Sequence, residues 1–285
     1  MSMIFDARRC ELGEGPLWHP ERKQLFWFDI LGNRLLTQAA DGPQEWRFGE
    51  RVSAAGWVDA DRLLIASESA LFRFDLRSGA RETICALEAD IPGNRSNDGR
   101  ADPQGGFWIG TMGKAAEPGA GAIYRFWRGE LRRLFAPISI SNAICFPPDG
   151  RHAHFADTVT GKVMRVALDA EGWPEGEPEV FLDLSGEGLN PDGAVVDADG
   201  VLWLAEWGSA RVSAYAPDGR RLRSVAVAAA QSSCPAFGGP DLSTLYVTTA
   251  LQGMDAAARA AEPQGGMTFA APGAGRGQRE HRVIL

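Results

Sequence analysis

"DPQGGFWIGTM", Asp102 to Met112, joins a turn signature to a short apolar run centred on tryptophan and isoleucine. Aspartate, proline and glycine favour a tight turn, and the aromatic and β-branched residues that follow favour a strand. The same succession recurs in "HPERKQLFWFDI" (19–30), "DADRLLIASE" (59–68), "PPDGRHAHFADT" (147–158), "DADGVLWLAEW" (197–207) and "GPDLSTLYVTTA" (239–250). Taking Leu25, Leu63, Phe107, Ala153, Leu202 and Leu245 as landmarks, the repeat is about 40 to 50 residues, the period of propeller blades. Most units continue into a second strand pair, as in "ALFRFDLRSGARETI" (70–84) and "RVSAYAPDGRRLRSV" (211–225). Four strands in each of six units predict an all-β, six-bladed β-propeller of four-stranded antiparallel blades around a central channel. A β-sandwich is the structural alternative, but it does not ordinarily repeat six times.

Helical periodicity is confined to a brief stretch, Asp255 to Ala261. Both chain ends, "MSMIFD" and "EHRVIL", are strand-like, and one of them is expected to complete the last blade across the ring closure. Residues 1–285 then form one domain. The 45% hydrophobic content suffices for a packed core. A net charge of −8, with 29 basic residues scattered among 37 acidic ones, argues against capture of nucleic acid or of an anionic membrane. The expected partner is a small molecule, for a monomer or a small homo-oligomer. Cys10, Cys85, Cys145 and Cys234 show no zinc or disulfide spacing. With neither a signal peptide nor a long apolar segment, the expectation is a cytoplasmic protein.

Ten or eleven residues before each landmark the first strand of each blade begins, at Glu14, Ser53, Asn97, Asn142, Asp192 and Cys234. In a propeller these strands line the channel, so a shared offset puts the six side chains around one axis. Two carboxylates and two carboxamides form a dense set of hard oxygen donors, suited to calcium, magnesium or manganese and tolerable to zinc. Glycines 13, 15, 99 and 193 beside them allow close backbone approach. The glycine-rich stretch from Pro92 to Met112 lacks the acidic spacing of an EF-hand. It leads into a strand, not the helix that a phosphate cradle needs, and neither G-x-S-x-G nor H-E-x-x-H occurs in the chain.

"ELGEGPLWHP", "NRSNDGRADPQGGFWIGTM", "ISNAICFPPDG", "NPDGAVVDADGVLW" and "CPAFGGPDLSTLYVTTA" together resemble the senescence marker protein, gluconolactonase and luciferin-regenerating enzyme family, in order over nearly the whole chain. The resemblance implies a six-bladed propeller with one divalent metal ion in its channel, calcium foremost, held by Glu14, Asn142 and Asp192. It implies substrate contacts from Arg95 and Asn97, and hydrolysis of a sugar lactone. A substrate-touching glutamate that some members carry shortly after "GTM" is missing: Lys114 and Ala115 stand there, and Glu117 comes later.

The expected chemistry is metal-dependent opening of an aldonolactone to the aldonic acid. Asp192 serves as the base towards water, in competition with its ligand role, or the metal itself activates that water. Arg95 offers a planar donor fork to hydroxyls or to the developing carboxylate. Asp98 is expected to face away from Asn97 along an extended strand, in a structural role. The alternatives are a non-catalytic calcium-binding regulatory propeller and a metal-dependent esterase or organophosphate hydrolase. Several features carry two readings: His152 and His154 as metal ligands or solvated histidines, Trp18 and Trp207 as pocket walls or inter-blade packing. Likewise Asp157 is a group behind the site or a bystander, Cys234 a nucleophile or a filler, and "GKAAEPGAGA" (113–122) a lid or a surface loop.

Overall fold

The repeated turn has a simple mechanism. In the computed structural model, which describes residues 2–285, Asp102 Oδ1 accepts the amides of Gln104 (2.9 Å) and Gly106 (2.8 Å). Asp197 does the same for Asp199 and Val201. Each aspartate thus replaces the backbone partners a tight turn leaves unpaired. Its second oxygen reaches the blade, to Arg125 Nε (2.6 Å) from Asp102 and to Trp203 Nε1 (2.9 Å) from Asp197.

These turns link the strands of six four-stranded antiparallel sheets. The innermost strands are Gly13–His19, Val52–Asp59, Asn94–Ala101, Ser141–Cys145, Asn190–Val196 and Ser232–Gly238. Five blades are contiguous in sequence. The sixth takes its outermost strand, Met3–Asp6, from the N-terminus, paired with Thr268–Ala271. The N-terminal segment therefore closes the ring. The C-terminal segment does not form a blade strand; it runs across the end of the channel where the innermost strands finish. Gln278 Nε2 donates there to Phe146 O and Val196 O (both 2.9 Å), Glu280 pairs with Arg100, and the amides of Val283 and Ile284 donate to Trp57 O and Gly105 O (both 2.9 Å).

The buried apolar side chains fall into six clusters, one at each junction between neighbouring blades. In the third blade Phe107 and Ile109 pack towards the second blade and Trp108 towards the fourth. Both faces of each sheet are covered, which is why its second strand reads as a nearly continuous apolar run. Trp18 stacks on Tyr246 (5.8 Å, 9°) at the junction of the first and sixth blades, so it is packing and not pocket wall. The helix spans Ala256–Ala261, capped by Asp255, and no helix among the described residues is long and apolar enough to cross a membrane.

His154 is buried (4% exposed), tilted against Phe181, and neither ring nitrogen has a hydrogen-bond partner. It lines a groove of about 320 Å³ with His152 and Asp149 between the fourth and fifth blades. Among the described residues no three His, Cys, Asp or Glu side chains converge as a metal site, so the histidine pair does not make one. Burial pushes the His154 imidazole down to about 3. Between that value and the ordinary 6.5 the unfolded chain holds a proton that the folded chain lacks, so stability is lost as pH falls through this window. The slope reaches about 1.4 kcal/mol per pH unit. His154→Phe is expected to flatten this acid limb relative to the parent, measured by urea unfolding across the window; parallel pH profiles would contradict it.

Candidate active site in the channel

At the level of the shared offset, every innermost strand slips register against its neighbour by one residue. The slips fall between Glu14 and Leu17, Val52 and Ala54, Ser96 and Gly99, Asn142 and Cys145, Pro191 and Ala194, and Ser232 and Cys234. A bulge of this kind bends the strand and re-aims the side chains around it. Six of them form a belt around the channel. Gly15 (φ +52°) belongs to one, and a Cβ there would collide with Ser53 O of the next blade.

Glu14, Arg95, Asn97, Asn142 and Asp192 all lie on this belt, each no more than 5% exposed. A chain of hydrogen bonds ties three blades together through them. Arg95 Nη1 donates to Asn97 Oδ1 (2.6 Å), and Asn97 Nδ2 donates to Ser141 O (2.8 Å) and Asn142 Oδ1 (3.1 Å). Asn142 Nδ2 donates to Thr158 Oγ1 (2.8 Å), whose hydroxyl donates to Pro191 O (2.8 Å), next to Asp192. Because the Thr158 proton goes to Pro191, its oxygen can only accept from Asn142. That orients the carboxamide, with Oδ1 turned towards Asn97. Thr158 went unnoticed in the sequence; its only signal is its place after Asp157 at the end of a repeat strand. Asp157 itself accepts the amides of Ser139 (2.8 Å) and Ile140 (3.0 Å), holding the segment that leads into Asn142.

Asp98 departs from the alternation expected of an extended strand. The bulge lets Asn97 and Asp98 both reach the fourth blade, Asp98 Oδ2 accepting the amide of Ile144 at 2.7 Å. Its charge also acts on Glu14 and Asp192. Cys234 packs against Gly193, and its thiol is pushed well up by burial, which fits a filler and not a nucleophile. Trp207 remains partly exposed against the first-blade cluster. The "GKAAEPGAGA" stretch is a tied-down turn: Lys114 N donates to Gly93 O (2.8 Å), and Glu117 folds back to accept Ala115 N (3.0 Å).

The electrostatics are those of crowded acids. Among the described residues Glu14 accepts the amide of Gly15 (3.1 Å), the Gly193 amide favours ionised Asp192, and no side chain donates to either carboxylate. Burial, then Asp98, pushes Glu14 up to about 8. Burial, then Glu14 and Asp98, holds Asp192 well above the carboxylate range, and burial raises Asp98 to about 6. Arg95 is the nearby cation, itself brought down to about 10 by burial and by Arg51. Two nearly unpartnered buried carboxylates and a carboxamide with a fixed oxygen are a donor set that fits a hard divalent cation.

A carboxyl group whose folded value is raised binds more protons folded than unfolded. Chelator-treated protein should therefore lose stability as pH rises from about 4.5 towards 8. At neutral pH and in chelator, Asp192→Asn is expected to stabilise the fold by roughly 1–3 kcal/mol, because the buried carboxyl must on folding either take up a proton or keep a repelled charge and the carboxamide does neither. Thermal denaturation measures it; an unchanged or lower Tm overturns the account of strain.

The model of the SMP-30/gluconolactonase/LRE-like region matches residues 12–251. The L-arabinolactonase of Azospirillum brasilense is 38% identical over 277 residues, covering 95% of this chain and 91% of that protein. The pentonolactonase XacC of Haloferax volcanii is 34% identical over 247 residues, with 85% and 82% covered. The crystal structure of a calcium-binding protein, regucalcin, from Agrobacterium tumefaciens strain C58 superposes with a TM-score of 0.97 at 41% identity, covering 100% of this chain and 98% of that one. With the blades, the belt and these relatives in agreement, the chain belongs to the SMP-30/gluconolactonase/LRE-like family.

Proposed function

We propose that this protein is a divalent-metal-dependent lactonase that opens a sugar lactone to its hydroxy acid. The observation that carries the reading is the pair of buried, nearly unpartnered carboxylates, Glu14 and Asp192, beside Arg95 and the oriented Asn142, in a family with lactonase members. Glu14, Asn142 and Asp192 would hold the ion, calcium first and zinc, magnesium or manganese next. When bound it would supply a Lewis acid for the lactone carbonyl.

The chain's own residues divide the remaining work. Arg95 spends one Nη on Ser96 O and Asn97 Oδ1; its other donors are free to hold the ring oxygens and the emerging carboxylate. Asn97 Oδ1 keeps a lone pair for a substrate hydroxyl. Asp192 takes the proton as the oxygen of water bonds to the carbonyl carbon. The ring C–O bond then breaks, and its oxygen leaves as a hydroxyl once protonated. The four unpaired thiols suit the reducing cytoplasm in which we place the protein.

A pH-indicator assay of five- and six-membered sugar lactones, on protein stripped and refilled with each ion, tests the reading. Turnover above the spontaneous rate is expected, lost in Asp192→Ala with the fold retained; Arg95→Ala should raise KM or lower kcat without loss of metal. No turnover with any pairing would favour the other reading, a non-catalytic calcium-binding regulatory propeller; the Agrobacterium neighbour is described as a calcium-binding protein. Thr158→Val, which leaves Asn142 unoriented, is expected to weaken ion binding about 10- to 100-fold, read by competition with a chelating dye.

A further inference from the structure

At the end of the channel where the innermost strands begin, Arg51 and Glu68 lie close enough to act on Arg95, and Lys114 pairs with Glu68. Arg51 immediately precedes the second blade's innermost strand, Glu68 follows that blade's second strand (Arg62–Ser67), and Lys114 follows the third blade's second strand (Phe107–Gly113). Lys114 Nζ meets Glu68 Oε2 at 2.8 Å and Arg51 Nε meets Glu68 Oε1 at 3.4 Å, so two cations share one carboxylate. The other acids nearby are engaged elsewhere: Glu50 by the Ser69 hydroxyl, Glu117 by Ala115 N, and Glu14 and Asp192 facing Arg95. Arg51 is close enough to depress Arg95, and its Nη1 is buried without any acceptor. A guanidinium with a donor left over, whose one carboxylate partner is shared with a second cation, is a site for an anionic oxygen.

We propose that the preferred lactone carries a second, anionic group away from its carbonyl (carboxylate, sulfonate or phosphate), received by Arg51 and Lys114. This rests on the lactonase reading and names its substrate class. Arg95 would govern the reacting ring, while Arg51 and Lys114 select the far end. Lys114 is partly exposed, so its attraction falls with ionic strength.

The test compares kcat/KM for gluconolactone, a glucarolactone and 6-phosphogluconolactone at low and high salt. The acidic lactones are expected to be favoured about tenfold or more through KM, and the preference to shrink with salt. Lys114→Ala and Arg51→Met should collapse the discrimination, Arg51→Lys should restore part of it, and the better of the two acidic substrates identifies the anion. Equal kcat/KM for neutral and acidic lactones, or a preference that survives both substitutions, overturns the proposal and leaves the lactonase reading standing. Failure to open any of the lactones overturns both.

Discussion

Every sheet in this protein is apolar on both faces, and that constraint governs the rest of the structure. A four-stranded blade with Phe107 and Ile109 on one side and Trp108 on the other cannot be stable in water alone. It needs a neighbour on each side, and six such blades satisfy one another only by closing a ring. The N-terminal strand locks the last blade to the first residues of the chain. Closure brings the six innermost strands around one axis, where residues from Glu14 to Cys234, far apart in sequence, become neighbours.

The channel then presents a second problem, which the belt of bulges solves. Regular strands would send alternate side chains into the blade packing on either side. The slip in each ladder lets adjacent residues such as Asn97 and Asp98 both reach the next blade. The hydrogen bonds from Arg95 through Asn97, Asn142 and Thr158 to Pro191 hold three blades at fixed spacing and orient a carboxamide. Within this frame Glu14, Asp98 and Asp192 are kept close together out of water, where their charges repel. Folding alone gains nothing from that arrangement. It resembles a site whose stability cost is offset when a cation arrives.

The two ends of the channel are treated differently. At one end the C-terminal segment crosses the opening, with Glu280 on Arg100 and Gln278 bridging two blades. The other end keeps Arg51, Glu68 and Lys114 around the approach to Arg95.

The period of turn and strand, read from Asp102–Met112 and its five counterparts, was enough to determine six blades of four strands. Turn caps, an aspartate in five repeats and His19 in the first, and doubly buried strands are local properties that each repeat carries by itself. The offset that singled out Glu14, Asn97, Asn142 and Asp192 was legible for the same reason, since equivalent places in a repeat land at equivalent places around an axis. Which terminus closes the ring was not, because "MSMIFD" and "EHRVIL" have similar strand propensity and only the completed ring leaves one free edge. Nor were the direction of Asp98, the part played by Thr158, or the sharing of Glu68 by Arg51 and Lys114. These depend on one-residue slips and on contacts between blades, and such long-range geometry exists only once the ring is closed.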